Sequence, residues 1–318
     1  MSNPAAPDMH TLTQLIKSKT IELGFDACGI AKAEKLVDEE TRLTAWLDKG
    51  YHGKMSYMAN HFEKRLDPTL LVENSKSVIV VLFYYYPPVL QNSESGYKVA
   101  KYLYARDYQT VIKDKLKLLG DYINEIAPGN TFRFFSDSAP VREKAWAVKA
   151  GLGWIGKQSL LIVPYNGTFF FIGELITSLE LETDQPFIGN RCGACTKCIS
   201  ACPTGAIGEP GVIDARKCIS YQTIELRDDQ LSEEVREFNK EWIIGCDICQ
   251  DACPWNKKPE PHQHADFLPN KKMLALTKPD WESMTEEQFN EIFKDSGVKR
   301  TGFKGLKRNI RSLIDKNK

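Results

Sequence analysis

The sequence predicts an α/β (α+β) layer domain, a small cysteine-rich module behind it, and a short helical tail. Three observations carry that reading. Helical and strand periodicities alternate up to about residue 186. Eight of the nine cysteines then fall between Cys192 and Cys253. Finally, residues 297–318 hold eight basic residues against one acid, in a chain whose formal net charge is zero.

Apolar positions at Leu12, Leu15, Ile16 and Leu23 predict a first helix over 11–23, ended by Gly24. A short strand follows over 25–30, with Cys28 as a small buried hydrophobe. Residues 39–47 read as a second helix. The continuous apolar run over 77–86, closed by Pro87 and Pro88, predicts a central strand covered on both faces. Residues 108–126 form a long amphipathic pattern. Residues 132–135 read as a strand that delivers Ser136-Asp137-Ser138-Ala139-Pro140 to a loop. A helix over 141–150 stops at Gly151, and strands over 160–163 and 168–176 are expected to be joined by a Tyr165-Asn166-Gly167 turn. The predicted domains are 1–186, 187–258 and 259–318, the last opening on a Pro- and His-bearing linker. No basic and apolar leader, no twin-arginine signal and no run of about 18 apolar residues is visible, so a cytoplasmic chain away from membranes is expected.

The chemistry lies in the cysteines. Cys192, Cys195, Cys198 and Cys202, followed by Pro203, match the bacterial ferredoxin run that wraps a [4Fe–4S] cluster. Cys246, Cys249, Cys253 and Pro254 repeat its ending, and Cys218 lies between the two runs. Eight thiolates make ligands for two clusters in a ferredoxin-like module. Under the ferredoxin crossover rule one cluster takes Cys192, Cys195, Cys198 and Cys253. The other takes Cys202, Cys246, Cys249 and, because Ala252 stands where a third close cysteine is wanted, Cys218. Zinc sites use Cys-x2-Cys pairs but do not ask for a third cysteine at that spacing followed by Cys-Pro. A disulfide framework would spread its cysteines more evenly. No Cys-x3-Cys-x2-Cys run or Walker A is present, and Gly151-Leu-Gly153-Trp-Ile-Gly156, although it has Gly-x-Gly-x-x-Gly spacing, follows a helical pattern rather than a strand and is not read as a dinucleotide site. An electron carrier fused to a large domain points to a reductase.

Several segments together resemble epoxyqueuosine reductase. They are Lys64-Arg65-x-Asp67-Pro68, Arg106-Asp107-Tyr108, Ser136-Asp137-Ser138-Ala139-Pro140-Val141, the stretch from Ala150 to Lys157, and the runs ending Cys202-Pro203-Thr204-Gly205-Ala206 and Cys253-Pro254-Trp255-Asn256. The resemblance covers nearly the whole chain. It implies a cobalamin-dependent iron–sulfur oxidoreductase, related to reductive dehalogenases, that removes the epoxide oxygen of epoxyqueuosine at the tRNA wobble position. The first domain would then be a cobalamin-binding domain. Cobalt cycling through Co(I) would collect single electrons from the clusters. By the same resemblance Asp137 is the proton donor, and desolvation beside Phe134 and Phe135 is expected to keep it protonated. Its bland alternative is an Asx-turn or a helix cap. The resemblance also implies cobalamin contacts at Arg65, Ala100, Asp137, Leu161, Ser220 and Asp247. The alternatives are a surface ion pair for Arg65, core packing for Leu161 and a helix cap for Ser220. Cobalt ligation by His52 or His61 is not suggested.

The tail adds a partner. A charge run is usually a solvated helix face, but this one is concentrated on a terminal element with Gly302 and Gly305. Lys299, Arg300, Lys304 and Arg308 are therefore expected to contact tRNA phosphates. Family members often continue into helical repeats where this chain stops, so part of the usual tRNA-facing surface is expected to be either missing or provided by the tail. A monomer fed by an external electron donor completes the expectation. The competing readings are a small-molecule reductive dehalogenase and an electron-transfer protein serving a separate partner.

Overall fold

The computed structural model describes residues 7–92 and 95–315; residues 1–6, at the terminus expected to carry no leader, and Lys316 and Lys318 of the tail lie outside the described residues. The chain order is α1 (Met9–Glu22), β1 (Ala27–Lys32), α2 (Val37–Asp48), α3 (Phe62–Leu66), β2 (Ser77–Tyr84), β3 (Lys98–Val99), α4 (Tyr108–Ile126), β4 (Phe132–Phe135), α5 (Glu143–Lys149), β5 (Trp154–Ile155), β6 (Leu161–Ile162) and β7 (Phe170–Thr177). Then come α6 (Lys197–Ala201), α7 (Ile219–Ile224), α8 (Glu233–Phe238), β8 (Trp242–Ile244), α9 (Ile248–Asp251), α10 (Lys271–Leu274), α11 (Lys278–Ser283), α12 (Glu286–Ile292) and α13 (Gly302–Ile314).

A four-stranded sheet in the order β1-β2-β7-β4 is antiparallel throughout. This is the α+β arrangement rather than a parallel α/β sheet, because each neighbouring pair is connected without a same-sense crossover. β2 is central, as its unbroken apolar run requires, and six of its residues are fully buried. Helices α1 and α4 cover one face around Ile16, Ile79, Leu116 and Leu175. Helix α5 covers the other around Val78, Val80, Trp146 and Ile176. Gly173 lets α4 lie close on β7, since a Cβ there would sit 2.6 Å from a methyl of Ile112.

The expected hairpin between residues 160–163 and 168–176 does not form. β6 pairs with β5 in a separate ribbon, and β7 crosses the main sheet instead. The turn itself is present, because Val163 and Gly167 form a bridge, but the chain leaves it in a new direction.

The cluster module and the tail are interlocked with the first domain. β3 pairs in parallel with β8, across a long span of sequence. Tyr97, Val99 and Leu103 share one core with Ile243, Ile244, Trp281, Phe293, Leu306 and Ile310. The tail is thus a packed amphipathic helix, with Leu306, Ile310 and Leu313 on its inner side.

Candidate active site

A cavity of about 2250 Å³ opens between the sheet domain and the cluster module. Ordinary ligand pockets hold about 300–1,000 Å³, so this one has room for a large cofactor and a substrate nucleoside together. Asp137, Arg65, Cys218, Ser220, Lys299 and Arg300 all line it, although they are scattered through the sequence.

Asp137 is presented by a tight loop at the end of β4. Ser136, fully buried, donates through its hydroxyl to the carbonyl of Ile172 at 3.1 Å and anchors the loop to β7. Asp137 then takes a left-handed backbone conformation, φ 59°, which an aspartate tolerates better than most residues. Its backbone N–H donates to a carboxylate oxygen of Glu143, and Gln109 Nε2 donates to Asp137 Oδ2 at 2.8 Å. The residue is exposed to the cavity. The expected desolvation of Asp137 is therefore corrected: Phe135 points into the core while the aspartate points into open space. The capping alternative fails as well, because α5 begins at Glu143 behind Arg142 with no side-chain cap.

Desolvation acts instead on two glutamates behind the loop. Glu143, partly buried on the cavity wall, is pushed up to about 8 by burial first and by the Asp137 charge second. Glu174 in β7 is fully buried, neither carboxyl oxygen has a partner, and burial raises it well above the ordinary carboxylate range. Unfolded, Glu143 would be charged above about 4.5; folded, it keeps its proton up to about 8. The native state binds the extra proton across that window, so stability drops as pH rises through it. Glu143→Gln is expected to flatten this alkaline loss, read as Tm against pH.

Arg65 donates to the carbonyls of Tyr57 (2.6 Å) and Asn60 (3.1 Å), so it shapes the cavity wall rather than forming a surface ion pair. Tyr108 stacks on Phe171 with ring centroids 4.0 Å apart, and Tyr102 meets Tyr108 edge-on, giving an aromatic flank beside Asp137. Ser220 lies on α7, whose cap is Cys218. Ala100, Leu161 and Asp247 are not among the residues that line the cavity. Ala100 packs against Gly245, where a Cβ would sit 2.5 Å from its own. Leu161 belongs to the core under α5. Asp247 is buried and accepts from the backbone N–H of Lys101 at 2.8 Å, with the ammonium at 3.4 Å.

The cysteines fall into two neighbourhoods. Cys253 interacts with Cys192, Cys198 and Cys195, and Cys253 and Cys192 pack with the aromatic rings of Trp154, Phe187 and Trp255. Cys249 interacts with Cys218, Cys202 and, from the first group, Cys198, and Cys246 interacts with Cys218 and Cys249. Helices α6 and α9 pack on each other between the groups. Since Cys218 also faces the cavity, the second group adjoins it directly.

The tail cations divide. Lys299 and Arg300 reach the cavity rim, where Arg300 is held bidentately by Glu225, with one contact of 2.8 Å. Lys304 is exposed and pairs with Asp229 at 3.0 Å. Arg308 is corrected: its guanidinium is buried and donates to the carbonyls of Gln222, Leu226 and Asp228 at 2.8–2.9 Å. Those carbonyls end α7 and the turn after it and need donors, which is why a cation sits inside. Arg308→Ala is expected to cost roughly 3 kcal/mol of unfolding free energy in urea titrations, by orphaning them.

Two family models match: the 4Fe-4S double cluster binding domain over residues 191–256, and epoxyqueuosine reductase QueG, DUF1730, over residues 65–138. The epoxyqueuosine reductase of Cellulophaga algicola is 51% identical over 94% of this chain and 96% of its own length. The chain belongs to the epoxyqueuosine reductase family. The epoxyqueuosine reductase of Escherichia coli K12 is 42% identical over 98% of this chain and 82% of its own. Among solved structures, an epoxyqueuosine reductase with an epoxyqueuosine-modified tRNA-Tyr stem loop superposes with a TM-score of 0.89 at 27% identity, over 96% of this chain and 82% of that one. A catabolic reductive dehalogenase, 16% identical with a TM-score of 0.52, covers 99% of this chain and 37% of its own and shares the fold. Like its relatives, this family member is an oxidoreductase with an iron–sulfur domain. Among the described residues no helix is long and apolar enough to cross a membrane.

The residues not foreseen are Glu143, Glu174, Arg142 and Gln158. Glu174 carried a signal, as the one charge within the apolar run of β7. Arg142 Nε and Gln158 Nε2 are buried on the cavity wall without partners. Two orphaned donors, an aromatic flank and this volume fit a large cofactor rimmed with carboxamides, as a corrin is.

Proposed function

We propose that the chain reduces epoxyqueuosine to queuosine in the wobble nucleoside of tRNA, using two [4Fe–4S] clusters and a cobalamin held in the cavity. The observation that carries this reading is that Asp137, Cys218 and the cationic rim of Lys299 and Arg300 open onto one space. When bound, cobalamin supplies a metal centre able to gather two single electrons and act on carbon. Arg142 and Gln158 would hold its carboxamide rim, and Arg65 keeps the Tyr57–Asn60 loop in place beside it. Asp137 delivers a proton to the departing oxygen, with Gln109 and the Glu143 contact fixing its loop. Tyr102 and Tyr108 exclude water from one side. Cys192, Cys195, Cys198 and Cys253 would hold one cluster and Cys202, Cys218, Cys246 and Cys249 the other, and the pair would supply one-electron transfer between an external donor and the cavity. The setting proposed is the cytoplasm and the active form a monomer.

Anaerobic reconstitution with cobalamin, then turnover on tRNA blocked at the epoxide, tests the reading. Nucleoside mass spectrometry is expected to show the loss of one oxygen, and no loss overturns it. Lys299 and Lys304 bear on the tRNA. Converting both to alanine should shallow the salt dependence of tRNA binding, by about 0.7–0.9 in log–log slope for each phosphate no longer neutralised.

A further inference from the structure

Removing an epoxide oxygen as water consumes two electrons and two protons: the epoxide plus 2 e⁻ and 2 H⁺ gives the alkene and H₂O. One carboxylic acid holds one proton. Asp137 must therefore be reloaded within a turnover, from a group close enough to reach it.

Three features of the fold meet at that need. Glu143 Oε1 accepts the backbone N–H of Asp137, so the glutamate is fixed against the acid loop, and its second oxygen remains to carry a proton. Glu174 stands in β7 directly opposite Phe135 in the strand register, two residues before Asp137. Its side chain is wholly buried with both oxygens unpartnered, an arrangement whose cost is least when the carboxyl is neutral. Both glutamates interact with Asp137, and Glu174 with Glu143.

We propose that Glu143, backed by Glu174, is the proton reserve that recharges Asp137 between the two proton-consuming steps of one turnover. The inference rests on the epoxide-reducing function proposed for the same site. Glu143 gives its proton to the Asp137 carboxylate and regains one from water in the cavity. The electrons come through the clusters from an external one-electron donor. The groups facing Glu143 suit this role. Asp137 and Tyr108 lie on the acid side, Lys113 reaches in from α4, Lys144 follows on α5, and Glu174 lies behind on β7. The two lysines stabilise the briefly charged glutamate, while burial returns it to its protonated form. Glu143 and Glu174 are positioning residues, since they act on the substrate only through Asp137.

Glu143→Gln and Glu143→Asp decide the matter. Glu143→Gln is expected to lower kcat by about tenfold or more with KM for the stem loop unchanged. It should also abolish an alkaline fall of kcat centred near about pH 8, which Glu143→Asp should restore. Unchanged kcat with the fall still present in Glu143→Gln overturns the proposal, as does a loss that appears only in KM or in cobalamin binding. A second readout needs no turnover: infrared difference spectra of the cluster-loaded protein without cobalamin. A protonated carboxyl band that disappears near about pH 8 in the wild type and is absent from Glu143→Gln supports the reserve. A band titrating in the ordinary carboxylate range overturns it. If the wild type fails to convert the stem loop, the functional reading falls, and the infrared titration still judges the reserve.

Discussion

Asp137→Asn is expected to abolish epoxide reduction while the cluster and cobalamin spectra stay as they are. An amide keeps the shape of the side chain and its contact with Gln109, and the left-handed backbone at φ 59° suits asparagine as well as aspartate. What disappears is the transferable proton. Losing a positioned general acid costs about 10²–10⁴ in rate. Activity within a few-fold of wild type would remove Asp137 from the chemistry and leave it a loop-shaping residue.

Cys218→Ala is expected to be as severe for another reason. In the proposed grouping this thiolate, which lines the cavity, completes a cluster that Cys202, Cys246 and Cys249 cannot close alone. Iron per chain should fall by about half, with the signal of the other cluster kept, and turnover should stop because electrons no longer reach the cavity. Cobalamin added in a prereduced state should restore at most a single turnover. Full iron content with full turnover would refute the assigned grouping. The contrast with Asp137→Asn is diagnostic: one variant keeps every spectrum and loses the proton, the other loses a spectrum and keeps the proton.

Much of the scaffold was legible because its signals are local. An unbroken apolar run gave β2 its central place, the period of residues 108–126 gave α4, and cysteine spacing gave the cluster module. Strand direction was not legible, since it depends on which partners meet: β7 finds β2 and β4 rather than its neighbour in sequence. Arg308 misled because arginine reads as solvent-facing, yet it sits two residues after Leu306 and two before Ile310, on the side that meets α7. Asp137 could be found by its motif, whereas its environment could not. The apolar neighbours Phe134 and Phe135 in sequence are not what surrounds its carboxylate in space. The desolvated acids are instead one from the following helix and one from an adjacent strand.

The pairing of β3 with β8 has a consequence for how the protein comes into being. A strand at residue 98 waits for one at residue 242, and Cys192 packs with Cys253 far along the chain. The sheet domain can collapse early on its own core, as N-terminal domains do during synthesis. The cavity cannot, because Cys218, Ser220 and Arg300 are among its walls. Contacts of such long range form late. Iron–sulfur delivery must therefore act on a nearly finished chain, and a ribosome stalled before residue 253 would release a folded sheet with no site on it.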